Sequence, residues 1–339
     1  MNSVLPKKVL WILFVLFFGI TIFLLGSLMQ SEEITQNLKA FLSGGALYSE
    51  VEYLQDSSLR SFGELSTYFS TLAREKGGEY AFNVLKLAPV PPDIDMHLLA
   101  HVVGDILYAQ EGLEGIKACT HDFRNACSHS IVVGLLLEQG ETALDKIAQA
   151  CYRAPGGSGA YTMCFHGLGH GVLAHTGYDL KKAVELCEKT GTSQYDYEES
   201  SQCVSGTIME IIAGVHDPEL WAKQRSKYFS AKDPLYPCTA DFMPKTAQYL
   251  CYLYLTPHLF EAAGTNTWIP TAKAFPFCDS IPLTEPGNRD ACYGGFGKEF
   301  IGFVADRDIR VSSLESITES QLKEIHELCL LADNRDGTM

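Results

Sequence analysis

Five pairs of cysteines, Cys119/Cys127, Cys151/Cys164, Cys187/Cys203, Cys238/Cys251 and Cys278/Cys292, recur so regularly that few folds remain open to this chain. In several pairs the first cysteine closes a helix-like run, as in Ile147-Ala148-Gln149-Ala150-Cys151. A loop follows, and the second cysteine opens an apolar run bearing Gly, His or aromatic residues. The second cysteines fall 37 to 48 residues apart, within or near the period of helix-pair repeats. Ahead of them, Asp95-Met96-His97-Leu98-Leu99-Ala100-His101 reproduces the histidine spacing of Cys164-Phe165-His166-Gly167-Leu168-Gly169-His170 and reads as one more such helix without its cysteine. Clear period-2 patterns are missing. The expected fold is all-α: about six helix hairpins, with second helices beginning near residues 95, 127, 164, 203, 251 and 292. They stack as an open α/α solenoid or curve into a closed ring.

Bridged within itself, each pair closes a loop of 8 to 16 residues and stabilises its hairpin by roughly 2–3 kcal/mol on chain-entropy grounds. Exchange of partners between adjacent repeats is one alternative, and buried free thiols are another. Cys329 is left over. Bridges persist in oxidising compartments, and the N-terminus offers a route to one. Val9 to Met29 is uncharged and rich in Leu, Ile and Phe, about the ~20 residues that span a bilayer. Lys7 and Lys8 precede it and Glu32 and Glu33 follow it, which orients the N-terminus toward the cytoplasm. The expected layout is a cytoplasmic segment 1–8, a signal-anchor 9–29 in the lipid bilayer, a juxtamembrane stalk 30–58 and an exported repeat domain 59–339. A cleaved secretory signal is the alternative, and it exports the same body. Leu59 to Leu87 reads as one or two amphipathic helices interrupted near Gly77-Gly78.

A formal net charge of -15 repels phosphate backbones, so nucleic acid is not an expected partner. No Cys-x-x-Cys pair occurs, which argues against zinc ribbons, thioredoxin-type redox sites and covalently attached haem. The chemistry lies with histidine. His97 and His101, and again His166 and His170, are four residues apart and so share a helical face on which two imidazoles can hold one ion. His129 takes the place of His166 in its own repeat. Together these five predict a site for a divalent transition metal such as zinc, copper, iron or nickel. Neither pair is a zincin signature, because Leu98 and Gly167 stand where a general-base Glu is required. Glu210 and Glu299 occupy matching places seven residues after Cys203 and Cys292, as candidates for a further ligand or a general base. Lys298 stands at the place of His170 and is a candidate to hold an anionic group. His121, His175, His216, His258 and His326 fall outside the aligned positions and are expected to be surface or packing residues. The glycines near His166 and Lys298 lack a preceding strand or a P-loop frame, so they read as sites of close helix packing.

The segments His97-Leu-Leu-Ala-His101-Val-Val-Gly104, Cys164-Phe-His-Gly-Leu-Gly-His-Gly171, Cys203-Val-Ser-Gly-Thr-Ile-Met-Glu210 and Cys292-Tyr-Gly-Gly-Phe-Gly-Lys298 resemble those of an uncharacterised bacterial family. Its members are exported or membrane-attached and carry serial Cys-x-His-Gly-x-Gly-His-Gly and Cys-Tyr-Gly-Gly motifs. The resemblance covers roughly residues 95 to 300 and implies a helical-repeat body, with no activity attached. Asp95 stands where a cysteine is expected, and Val133 where a second histidine is. Three functions fit. One is a metal-binding protein or metal-dependent enzyme with a His-lined pocket. The second is a non-enzymatic scaffold that binds a peptide or glycan. The third is a pocket for a small anionic ligand at clustered helix N-termini. Beyond the bilayer, the partner is a small molecule or protein whose identity the residues do not name.

Overall fold

A computed structural model describes residues 48–91, 94–214, 216–230, 232–264, 272–304 and 317–332. The expected anchor, 9–29, and the stalk up to residue 47 lie outside these. Among the described residues no helix is long and apolar enough to cross a membrane. The chain divides into two units, residues 1–58 and 59–339. The first contributes one described helix, α1 (Ser49–Asp56), within the expected stalk.

The second unit is helical throughout its regular structure, and no strand occurs among the described residues. It opens with α2 (Phe62–Lys76) and α3 (Gly78–Leu87). A capping box between Ser61 and Glu64 starts α2. Gly77, at φ 97°, separates the two helices, a conformation that glycine adopts without steric penalty. Then come α4 (Met96–Glu111), α5 (Ala126–Gln139), α6 (Leu144–Arg153), α7 (Gly157–His175), α8 (Leu180–Cys187) and α9 (Glu198–Ala213). They are followed by α10 (Pro218–Gln224), α11 (Gln248–Ala262), α12 (Phe275–Asp279), α13 (Pro286–Val304) and α14 (Glu319–Leu330).

All five expected bridges form, with Cα–Cα separations of 5.3 to 5.7 Å, inside the range that a disulfide spans. Cys329 stays free. Two expectations about the hairpins need correction. First, α7, α9 and α13 start at Gly157, Glu198 and Pro286, a turn or more before Cys164, Cys203 and Cys292. In α9 the extra turn is acidic, with Glu198 and Glu199 placed where the helix dipole favours negative charge. Second, the first arms are not uniformly α-helical. The run before Cys119 is a 3-10 helix, Gly112–Ala118, and Cys238 sits among consecutive turns.

The long helices pack in chain order: α4 on α5, α5 on α7, α7 on α9, α9 on α11 and α11 on α13. The α7–α9 contact is especially close. A Cβ on Gly169 would lie 2.0 Å from the Cys203 carbonyl oxygen, and one on Gly206 would lie 1.9 Å from that of His166. No side chain fits at either position. This approach brings the histidines of α7 against the carboxylate of α9.

Candidate metal centre

Six imidazoles gather in the interior. Helix α4 supplies His97 and His101 on one face, α5 supplies His129, and α7 supplies His166 and His170. The sixth is His216, just past Gly214, which ends α9 in a left-handed conformation. Neighbouring ring centroids are 4.7 Å apart for His97 and His101, 5.7 Å for His101 and His129, 5.9 Å for His129 and His170, and 5.9 Å for His101 and His216. All five histidines predicted from sequence are in this cluster. Gly167 makes room for it, since a Cβ there would lie 2.3 Å from Cδ2 of His129.

The hydrogen bonds assign a tautomer to each ring. His97 Nδ1 lies 2.7 Å from the Phe123 carbonyl oxygen. A carbonyl only accepts, so Nδ1 carries the proton and Nε2 keeps a lone pair. His101 Nδ1 lies 3.1 Å from Ser130 Oγ, whose own proton goes to the His101 carbonyl at 3.0 Å. That hydroxyl therefore accepts, and His101 Nε2 also keeps a lone pair. The two Nε2 atoms face each other at 3.1 Å with no proton between them. His129 donates from Nε2 to the Met163 carbonyl at 3.1 Å, which leaves its buried Nδ1 without a partner.

Ligand nitrogens bound about 2.1 Å from a metal ion sit about 3.0 Å apart at right angles and about 3.4 Å apart at tetrahedral angles. The His97–His101 separation lies between these. The ligating atoms of His97, His101 and His129 all lie within 4.8 Å of one another. Burial lowers all three pKa values, that of His97 to about 4, and neighbouring imidazoles add to the effect. The rings are therefore neutral, the form that binds metal.

A second group surrounds Glu210. His170 Nδ1 and His216 Nδ1 each lie 3.0 Å from its Oε2. Oε1 accepts from the Tyr178 hydroxyl at 2.6 Å and from the His216 backbone N–H at 3.0 Å. With four donors the carboxylate is saturated. Burial alone would raise its pKa, but the hydrogen bonds and charges of His170 and His216 hold it below the ordinary range. For His216, burial is outweighed by Glu210 and the pKa rises. For His170, burial prevails and the pKa falls. The charge of Asp105 adds to the rise at His216. His170 is neutral, with a buried Nε2 that has no partner.

Glu210, a candidate ligand or base from sequence, is placed here as the acceptor that orients His170. His216 was expected to be an ordinary surface or packing residue. Its signal was its position six residues after Glu210, beyond the helix-ending Gly214. His166 is more peripheral. It donates to Ser205 Oγ at 2.7 Å, and its Nε2 is 3.4 Å from Met209 Sδ. Replacing Glu210 by Gln keeps the shape but sets an amide N–H₂ among donors. We expect metal affinity to fall about 10- to 100-fold, as when other groups that orient ligating histidines are lost. Competition titration against a chromophoric chelator measures it, and an unchanged Kd would contradict this role.

Two adjoining cavities of about 380 and 490 Å³ reach the cluster. Both are lined by His97, Arg124, Met209, Tyr254 and Lys298; His170 and Glu299 line the smaller, and His129 and His166 the larger. Lys298 forms an ion pair with Glu299, and its ammonium lies 5.1 Å over the Tyr254 ring. Lys298 thus shares both cavities with histidines, and Glu299 the smaller one. Comparison with protein-family models, curated proteins and solved structures finds no match to this chain.

Proposed function

We propose that the chain is a membrane-anchored, extracytoplasmic metalloprotein. Its ion is a divalent transition metal, zinc, copper or iron, held by His97 Nε2, His101 Nε2 and His129 Nδ1. His170, whose ring centroid lies 5.9 Å from that of His129, offers a further buried nitrogen without a partner. The observation that carries this reading is the pair of proton-free Nε2 atoms facing each other at 3.1 Å, beside two buried nitrogens that lack partners. Buried lone pairs in such proximity repel unless a cation lies among them. An all-nitrogen set suits these metals and not magnesium or calcium, which take oxygen ligands. The bridged cysteines offer no thiolate.

The metal would supply Lewis acidity or an activated water toward the cavities. The chain's own residues do the rest. The Phe123 carbonyl, Ser130 and Glu210 orient the ligands, and the helix pairs, read as a curved repeat, bring α4 and α13 to one cavity. Export is supported by the five bridges and by the 9–29 run. The test is elemental analysis of the oxidised chain in detergent after incubation with zinc, copper or iron. One tightly bound ion per chain is expected, with affinity lower by at least about 100-fold in His101→Ala, beyond the usual loss on removing an orienting group. Metal-free wild-type protein under all three conditions would end this reading.

A further inference from the structure

We infer that the cavity beside the histidines receives a small molecule through an oxyanion group, a phosphate or a carboxylate, gripped by Arg124 with Lys298 behind it. The inference deepens the metal reading and rests on it for the neighbouring ion. Its first support is charge. The chain has a formal net charge of -15, yet the cavity of about 490 Å³ has two cations, Arg124 and Lys298, and no Asp or Glu among its lining residues, its three histidines being neutral. A basic cavity with low-dielectric walls in an acidic protein concentrates anions locally.

The second support is Arg124 itself. Among the described residues its guanidinium has no ion pair and no hydrogen bond. Arg225, in the adjoining cavity, is instead paired with Glu261 at 2.5 Å. Lys298 is shared with Glu299, so Arg124 is the cation available to a ligand. A guanidinium presents a planar fork that matches two oxygens of a phosphate or carboxylate.

The third support is the backbone. Phe123, Arg124 and Asn125 have φ of 53°, 52° and 63°, three successive non-glycine residues in the left-handed region. Strain of this kind persists where surrounding structure enforces it, and it clusters at functional sites. Here the same short segment does two things. The Phe123 carbonyl orients His97, and the next residue delivers its guanidinium to the cavity that His97 lines. Ligand anchor and metal ligand are thus one residue apart in their support. The cavity volume is that of small-molecule sites, and Tyr254 and Met163 supply apolar wall for the rest of the ligand.

The test is calorimetric titration of the full oxidised chain in detergent, zinc-loaded and metal-free, with inorganic phosphate and separately with acetate. Wild type, Arg124→Gln and Arg124→Lys are compared, and zinc content is measured on every sample. Glutamine and lysine face the same left-handed backbone as arginine, so the fold is kept; thermal melts check this. Phosphate affinity is expected to fall at least about tenfold in Arg124→Gln, the loss of a charge-assisted hydrogen bond, with zinc content unchanged. Arg124→Lys should fall between, because charge returns without the fork. Tighter acetate binding with the same Arg124 dependence would support the inference and identify a carboxylate ligand. Equal anion affinity in wild type and Arg124→Gln, or no anion binding at all, would overturn it. Arg124-dependent binding in a wild type that takes up no zinc would instead refute the metal reading and leave the anion site standing.

Discussion

Metal-free protein is expected to lose stability as the pH falls below 6.5, already above the range in which carboxylates alone would drive acid unfolding. Burial lowers the pKa of His97, His101, His129, His166 and His170 below 6.5. Such groups bind protons in the unfolded chain before they do so in the folded one. Their contribution is fully present above 6.5 and is lost as the pH falls toward the folded values, about 4 for His97. His216 is shifted the other way and holds its stabilisation at acid pH, fading as pH rises above 6.5. The five lowered imidazoles take up protons when the chain unfolds, and His216, protonated in both states at acid pH, does not offset them there, so stability falls with each pH unit below 6.5. Circular dichroism against pH, with and without one equivalent of zinc, measures the effect. Zinc should move the midpoint to lower pH, because protons must displace the ion. A midpoint below pH 4 in the metal-free sample would show that these imidazoles are not buried neutral.

Reduction should have an effect of similar size. The five bridges close loops of 8 to 16 residues, each worth about 2–3 kcal/mol and together on the order of 10 kcal/mol. All ten sulfurs lie in buried residues, so they anchor the core rather than its edge. Dithiothreitol in mild denaturant is expected to abolish the helical signal of residues 59–339, while the oxidised protein under the same conditions keeps it. The Cys187–Cys203 bridge matters most for the site, since it closes the longest loop, with a separation of 16 residues, and holds the helix that carries Glu210. Fully reduced protein melting within a few degrees of the oxidised form would contradict this account.

Sequence and structure agree where the governing constraint is short-range. Each cysteine pair is separated by too few residues to reach far, and five local bridges follow. The i, i+4 histidines need only a helix to share a face, and Gly77 needs only its own φ. What was not legible depends on partners remote in the chain. Nothing near His97 announces that the Phe123 carbonyl will fix its tautomer, or near His129 that the Met163 carbonyl will. His216 lies in a loop, outside any repeat register, and its role exists only through Glu210. Arg124 carries no glycine or asparagine signature of its left-handed backbone. The helix starts at Gly157 and Glu198 were hidden because the cysteines, the more conspicuous marks, lie further in.

The cavities are walled at one side by α4 and at another by α13, which starts about 190 residues further along the chain. No nascent or truncated fragment lacking the last long helix can present a finished pocket, however well its earlier hairpins have closed. Maturation of the site is therefore late, and a filled pocket would report that synthesis, oxidation and packing of the whole body have all run to completion.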